Sequence, residues 1–265
     1  MAPAFGSNGE SMNRPAVLIT GGAQRIGAGL SQAFGKAGWH VVIHYRTSRA
    51  EAETLAASLP SAETIRFDLA DTHELSGTVA ALAKRLPDWQ MLINCAAVFK
   101  NDSVTALDPS TYGRAMAVNA LAPALLAQGF LHHAQYTGGR RVIQFTDQKL
   151  DNTNPDFFSY TMSKHAVGGA IPMLSMARPR PADRIYGLAP GAILASHDQA
   201  EEETDVSHRL NLLRRKTGLD EICDAALFLA GGWLESGTTL FVDSGQHLLR
   251  QQRDVIYLAR EGATR

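Results

Sequence analysis

Two side chains that together can move a proton stand four residues apart in the second half of the chain. Tyr160 and Lys164, in the segment SYTMSK, lie on one face if the segment is helical. A phenol has a reference pKa of about 10, and a neighbouring ammonium group lowers it by stabilising the phenolate. The spacing therefore predicts an acid–base pair, although the same spacing is also common in exposed helices.

A glycine-rich segment offers a second kind of chemistry. TGGAQRIG, Thr20–Gly27, follows the apolar run AVLIT and precedes a segment with helical periodicity. Its glycines let the backbone approach a pyrophosphate at the positive end of a helix. We predict a dinucleotide site with contacts from Gly21, Arg25, Ile26 and Gly27; the alternative is an ordinary glycine turn. Arg25 replaces an expected middle glycine, and its cation suits the pyrophosphate or the edge of a substrate.

The end of the second apolar run predicts which dinucleotide binds. Nineteen positions after Gly27, an NAD site would carry an acidic residue for the ribose 2′-hydroxyl, and this chain has HYRTS there instead. A guanidinium flanked by hydroxyls suits a 2′-phosphate, which a carboxylate would repel. Contacts from Tyr45, Arg46, Thr47 and Ser48 are therefore predicted, with NADPH favoured over NADH. A solvated strand end is the alternative.

These segments need a scaffold that brings strand ends together. Apolar runs alternate with helical patterns from Ala16 to Val242, as in a parallel sheet buried on both faces. The predicted class is α/β: a single-domain Rossmann-type, doubly wound parallel sheet with helices on both faces. We place this domain at residues 15–248, between a flexible leader at 1–14 and an extension at 249–265.

Composition limits the possible partners. Twenty-five basic and 26 acidic residues leave a net charge of -1, so nothing attracts nucleic acid or an acidic membrane overall. No apolar run reaches the roughly eighteen residues that span a bilayer. Cys95 and Cys223 are far apart, and the adjacent His132 and His133 would point to different sides of a helix, so no metal is expected. The opening segment lacks a signal-peptide pattern, and we expect a cytoplasmic protein.

Together these segments resemble the short-chain dehydrogenase/reductase family over nearly the whole chain. The matching pieces are Thr20–Gly27, Asp68, NCAA at 94–97, Asn119 in VNA, Tyr160 with Lys164, Pro190-Gly191 and VDSG at 242–245. The resemblance implies that Tyr160 donates a proton, that Lys164 binds the nicotinamide ribose and tunes Tyr160, and that Asn119 holds a proton-relay water. It also implies cofactor contacts at Asp68, Leu69, Asn94, Ala96, Lys164, Pro190 and Gly191. Asp68 suits the adenine edge or, alternatively, a turn cap.

One departure from the family pattern predicts the substrate class. Thirteen residues before Tyr160, most members carry a Ser that binds a substrate carbonyl, and this chain has Asp147. An ionised carboxylate would repel a developing alkoxide, whereas a carboxylic acid can pass a proton to a ring nitrogen. With Arg25, HYRTS and Phe99, this residue makes the chain similar to the pteridine reductase branch. The alternatives are a loop-capping Asp147 and a plain core aromatic at Phe99.

The implied reaction reduces a C=N bond of a pterin or folate. NADPH would deliver hydride to C6 of a 7,8-dihydropterin while Tyr160 and Asp147, directly or through water, protonate N5. Phe99 would stack on the pterin and Arg25 would face its polar edge. Two alternatives stay open: a ketoreductase of the same family acting on acyl thioesters, sugars or steroids, and an NADPH-sensing binding protein without chemistry.

Two further segments bear on the site and the assembly. The loose stretch Pro190–Ser207, with its acidic run, is predicted to be a solvated face or a substrate lid. The resemblance implies a homotetramer, and Leu249–Arg265 is expected to pack over a neighbouring subunit; a frayed terminus is the alternative.

Overall fold

The computed structural model describes residues 14–196 and 199–263, so the predicted leader lies, apart from Arg14, outside the described residues. Seven strands form one sheet in the order β3-β2-β1-β4-β5-β6-β7, and all neighbouring strands are parallel. The strands are β1 Ala16–Ile19, β2 His40–Tyr45, β3 Ala62–Arg66, β4 Trp89–Asn94, β5 Arg141–Phe145, β6 Arg184–Pro190 and β7 Thr239–Val242. The strand order reverses beside β1, which opens a crevice at the strands' carboxyl ends.

Helices connect the strands and cover both faces of the sheet. They are α1 Arg25–Lys36, α2 Arg49–Ser58, α3 Thr72–Arg85, α4 Pro109–Ala115, α5 Ala122–His133, α6 Phe158–Met176, α7 Glu201–Ser207, α8 Leu219–Ala230 and α9 Val255–Ala263. The predicted doubly wound fold is confirmed.

Strand periodicity divides the core into two layers. Val17 and Ile19 of β1 pack on one face with α1, α2 and α8, whereas Leu18 packs on the other with α3 and α5. Because alternate strand residues face opposite sides, a strand apolar at every position buries both faces.

The stretch Pro109–His133 is one continuous helical segment, long and apolar enough to cross a membrane by length and composition. More than half of its most apolar window is buried within the fold, with α5 packed beside α3, so the core explains its apolar character. Between α4 and α5 the chain forms a π-helical turn, Met116–Leu121. Such turns are frequent at functional sites, and this one carries Asn119.

A buried ion pair joins the amino ends of β5 and β6. Arg140 and Asp183 meet at 2.6 Å with side-chain exposures of 1% and 0%. The Arg140 guanidinium also donates to the carbonyls of Leu131 and Ala134 at the end of α5. The pair therefore holds β5, β6 and α5 together at the amino-terminal end of the sheet, opposite the crevice.

The segment after β7 folds back onto its own chain. Val255–Ala263 is helical and packs against α7, and both helices belong to segments for which the sequence predicted little regular structure. The segment packs beside the crevice of its own chain, because Asp254 and Arg253 pair with groups there; packing over a neighbouring subunit stays a prediction.

Candidate active site

A cleft of about 480 Å³ opens at the carboxyl ends of the central strands. It unites predicted residues from five segments of the chain. They are Gly21, Arg25, Ile26, Gly27, Ala96, Phe99, Asp147, Tyr160, Lys164, Pro190 and Gly191. The cleft lining does not include Tyr45, Arg46, Thr47, Ser48, Asp68, Leu69, Asn94 or Asn119.

The glycine loop at one end of the cleft has a geometry that other residues could not adopt without strain. Gly21 has a φ of +65°, and a Cβ added to Gly27 would lie 2.1 Å from the Gly21 carbonyl oxygen. Gln24 precedes α1 without a side-chain capping bond, so the first-turn N–H groups stay available for an anion. These features fit the pyrophosphate of a dinucleotide.

His44 fixes this loop, a role that the sequence did not indicate. The Gly21 N–H donates to His44 Nδ1 at 3.0 Å, and His44 Nε2 lies 3.1 Å from the Phe67 carbonyl oxygen. These partners assign the neutral Nε2–H tautomer. Burial lowers the His44 pKa to about 4. One imidazole thus joins the glycine loop to the segment after β3.

The region after β2 presents a cation to solvent. Arg46 and Thr47 are exposed and Ser48 is half-buried. Arg66, paired with Tyr45 in the sheet, donates from Nε to the Arg46 carbonyl oxygen at 3.2 Å. Two arginines therefore stand at this corner, of which the sequence predicted only Arg46.

Three residues that were predicted to contact the cofactor have side chains that pack or form hydrogen bonds inside the fold. Tyr45 is 8% exposed and Leu69 is 6% exposed, each within a core layer. Asn94 Nδ2 donates to the Pro123 carbonyl and to Gln144. Packing and hydrogen bonds inside the fold occupy these side chains, so contacts from these residues to a cofactor stay predictions.

Asp68 acts as a turn cap in this structure. Its carboxylate accepts the Ala70 N–H at 2.9 Å and lies 3.3 Å from Arg114. These two contacts outweigh partial burial and lower the Asp68 pKa. The carboxylate remains 40% exposed, so it stays available beside the crevice.

The proton-transfer residues meet where β5 ends and α6 begins. The Tyr160 hydroxyl donates to Asp147 Oδ2 at 2.6 Å, and the Asp147 carboxylate accepts the Lys149 N–H at 2.9 Å. Asp147 therefore caps a turn and bonds the phenol at once. Lys164, one helical turn beyond Tyr160, donates from Nζ to the Phe145 carbonyl at 2.7 Å and lies 5.5 Å from the Tyr160 ring centre.

Burial dominates the electrostatics of this cluster. Desolvation, followed by the charge of Asp147, raises the Tyr160 pKa well above its ordinary value. Desolvation also raises the pKa of Asp147 and lowers that of Lys164. The expected lowering of the Tyr160 pKa by Lys164 is therefore wrong, because the ammonium group binds a carbonyl while the phenol faces a carboxylate. Tyr160 stays protonated.

Aromatic rings line the cleft beside the phenol. Phe99 stacks on Phe157 with centroids 4.2 Å apart and meets Tyr160 edge-on at 4.7 Å. Phe99 is 42% exposed, so it lies in the cleft and not in the core.

Asn119 connects the segment after β4 to α6. Its amide accepts the Val98 N–H at 2.7 Å and donates to the Val98 carbonyl and to Ser163. The side chain is 1% exposed. These contacts position the helix that carries Tyr160 and Lys164.

Arg25 reaches the segment after β6. Its Nη2 donates to the Ala195 carbonyl at 2.7 Å and to the Leu194 carbonyl at 3.4 Å. It therefore joins the glycine loop to the predicted lid, an arrangement that the sequence did not indicate.

The residues that line the cleft without having been predicted include Lys149, Asp254, Val255 and Ile256. The apolar residues in the segment DVIYLA could have indicated that this segment packs against the fold. The residues that it contacts, however, lie about one hundred positions earlier in the chain. Among the described residues, no group of three or more His, Cys, Asp or Glu side chains could hold a metal ion.

Comparison with known proteins identifies the class. A family model described as enoyl-(acyl carrier protein) reductase matches residues 21–247. The chain belongs to the short-chain dehydrogenase/reductase family, whose members use NAD or NADP, and it is an oxidoreductase of that family.

Particular relatives are similar across nearly the whole chain. Pteridine reductase 1 of Leishmania tarentolae is 25% identical, covering 91% of this chain and 99% of the relative. The structure of FolM alternative dihydrofolate reductase 1 from Brucella canis, complexed with NADP, superposes with a TM-score of 0.84 at 30% identity, covering 91% and 97% of the two chains. The 5-keto-D-gluconate 5-reductase of Escherichia coli K12 is 27% identical, covering 86% and 94%.

Proposed function

We propose that this oxidoreductase reduces the C=N bond of a 7,8-dihydropterin or dihydrofolate. The 2.6 Å hydrogen bond from Tyr160 to Asp147 carries the proposal, because this pair suits proton delivery to a ring nitrogen better than binding of a carbonyl oxygen. The similarity to pteridine reductase 1 and to the Brucella canis protein supports it.

We propose NADPH as the cofactor. Gly21 and Gly27 let the glycine loop close tightly at the start of α1, where a pyrophosphate would bind, and the exposed Arg46 suits the 2′-phosphate. The similar Brucella canis structure contains NADP. When bound, NADPH supplies the hydride that C6 of the pterin receives.

Tyr160 donates its phenolic proton to N5 of the substrate. Burial keeps the phenol protonated until the substrate accepts that proton. Asp147, half-buried at the cleft and 2.6 Å away, replaces the proton on Tyr160 and is reprotonated from solvent. Hydride at C6 and a proton at N5 convert the C=N bond to a CH–NH group, which completes the reduction.

Other cleft residues hold the reactants. Phe99 presents a partly exposed ring for stacking on the pterin. Lys164, which lines the cleft, is proposed to bind the nicotinamide ribose, and Asn119 keeps α6 in place through Ser163. Arg25 lines the same cleft, and its cation suits the polar edge of the substrate.

Replacing Arg46 with Asp should reverse cofactor preference. The change removes a charge-assisted bond to the 2′-phosphate, worth about 1.5–3 kcal/mol, and adds repulsion. We expect the ratio of kcat/KM for NADPH to that for NADH to fall by at least tenfold. The control is Arg49→Asp, which makes the same charge change where the arginine pairs with Glu53. Equal use of both cofactors by the parent protein would contradict the assignment.

Replacing Asp147 with Ser tests the substrate class. We expect kcat/KM for dihydropterin reduction to fall roughly tenfold or more, because the proton relay is lost. The assay is NADPH oxidation with dihydromonapterin and dihydrofolate, and with a β-ketoacyl thioester and 5-ketogluconate for comparison. Unchanged dihydropterin reduction in Asp147→Ser would remove the main support for the proposal.

The same panel separates the other functions. Parent activity on a carbonyl compound but on no pterin would identify a ketoreductase. NADPH binding without turnover of any substrate would identify a binding protein. The homotetramer and the cytoplasmic location stay predictions, which a sizing column and cell fractionation would test.

A further inference from the structure

The segment after β7 forms one wall of the cleft. Asp254, Val255 and Ile256 line it together with Tyr160 and Phe99. Val255 and Ile256 are 6% and 7% exposed. Ile256 belongs to a small apolar cluster with Phe157 and Tyr160, separate from both layers of the core. The segment therefore reaches the reacting centre and does more than cover the surface.

A buried ion pair holds the start of this wall. Lys149 Nζ lies 2.7 Å from Asp254 Oδ2, with side-chain exposures of 4% and 8%. Lys149 also gives its backbone N–H to Asp147. Buried pairs contribute little net stability but demand a defined geometry. Lys149 thus holds both Asp147, through its backbone N–H, and the wall, through its ion pair with Asp254.

Contacts on either side of Asp254 reinforce the wall. Arg253 pairs with Asp156 at 2.8 Å, just before the start of α6. Upstream, Gln251 and Asn152 exchange two hydrogen bonds, of 2.8 and 2.9 Å. Asp254 accepts the Ile256 N–H at 3.1 Å. The orientation of Val255 and Ile256 is therefore defined before any substrate binds.

Arg260 joins the wall to the predicted lid. On α9, one turn beyond Ile256, it pairs with Glu203 of α7 at 3.1 Å. This ion pair and the packing of α9 against α7 join the wall to the segment after β6.

We propose that Val255 and Ile256 are specificity-determining residues that contact the substituent on C6 of the substrate. This inference rests on the proposed function. Tyr160 protonates N5 in that reaction, C6 is the atom bonded to N5, and Ile256 packs against Tyr160. The C6 substituent therefore points at an apolar wall of fixed position. Such a wall discriminates a short side chain from the bulky aminobenzoyl arm of a folate.

The test compares two substrates in matched variants. Ile256→Ala removes three carbons from the wall, and a change of one methylene in an apolar pocket is worth about 10–200-fold in specificity. We expect the ratio of kcat/KM for dihydrofolate to that for dihydromonapterin to rise at least tenfold. The effect should lie mainly in KM, with NADPH affinity within twofold of the parent. Val255→Ala should shift the ratio in the same direction.

Leu258→Ala is the control, because Leu258 lies on the same helix outside the cleft lining; its ratio should stay within twofold. If Ile256→Ala fails to fold, Ile256→Val removes only one carbon and should shift the kcat/KM ratio less, in the same direction. A parent that reduces dihydropterins, with ratios unchanged in the Val255 and Ile256 variants, would overturn this inference alone. A parent that reduces none would overturn the proposed function and this inference together.

Discussion

Replacing Tyr160 with Phe should lower kcat for dihydropterin reduction by at least about 100-fold. The variant keeps the ring that contacts Phe99 and Ile256 but loses the hydroxyl that delivers the proton to N5 in the proposed reaction. General acid catalysis contributes typically about 10²–10⁴-fold. Stopped-flow and steady-state measurements of NADPH oxidation would give kcat.

The same variant should keep its affinity for NADPH. Lys164 is held by the Phe145 carbonyl and not by the phenol, so loss of the hydroxyl leaves it in place. Tyr136→Phe, at a tyrosine outside the cleft lining, is the control and should keep kcat within twofold. Near-normal turnover in Tyr160→Phe would remove Tyr160 from the mechanism.

The pH dependence of the activity should show the ionisation of the Asp147 carboxyl group. Burial raises the Asp147 pKa, and the relay needs its protonated form. Activity is therefore expected to fall as pH rises through that raised pKa, since the carboxylate then holds no proton to return to Tyr160. The Asp147→Ser variant described above should lack this step in its pH profile.

Replacing Asp183 with Ala should destabilise the fold by about 3–5 kcal/mol, because it leaves the Arg140 guanidinium buried without its counter-ion. Burial acts to raise the Asp183 pKa, but the bonds from Arg140 outweigh it and leave that pKa below its ordinary value. The pair's contribution is therefore present at neutral pH and is lost as pH falls. The free energy of unfolding in denaturant is the measurement.

A surface ion pair supplies the comparison. Asp205 pairs with Lys216 at 2.9 Å, with side-chain exposures of 53% and 46%. Asp205→Ala should lower the free energy of unfolding far less than Asp183→Ala, because solvent screens such a pair. Equal losses in the two variants would contradict a special role for the buried pair. Both variants should keep the cofactor preference of the parent, since the Arg140 pair lies at the edge of the sheet away from the cleft.

Sequence reasoning succeeded where the chemistry depends on local spacing. Tyr160 and Lys164 follow from one helical turn, and the glycine loop from a strand–turn–helix unit. It did not indicate that the Tyr45 side chain, which shares its strand face with Val41 and Ile43, turns into the core. In a strand, a shift of one residue exchanges the buried and exposed faces. Composition alone does not show which residue of β2 is the last to point into the core.

The wall formed by Val255 and Ile256 was beyond sequence reasoning for another reason. Asp254 meets Lys149, and Arg253 meets Asp156, across about one hundred residues. No local periodicity encodes such a contact. The raised Tyr160 pKa was missed likewise, because it depends on how deeply tertiary packing buries the phenol and on which oxygen it faces.

His44 makes the cofactor end of the cleft sensitive to acid. Its pKa is about 4 in the folded chain, against an ordinary value of 6.5. Between these two pH values His44 is protonated in the unfolded chain but neutral in the folded chain. The free energy of unfolding therefore rises with pH across this window. The difference amounts to roughly 3 kcal/mol lost on acidification from pH 6.5 to 4. Above that window the imidazole stays neutral, and the glycine loop keeps its hydrogen bond to His44 Nδ1.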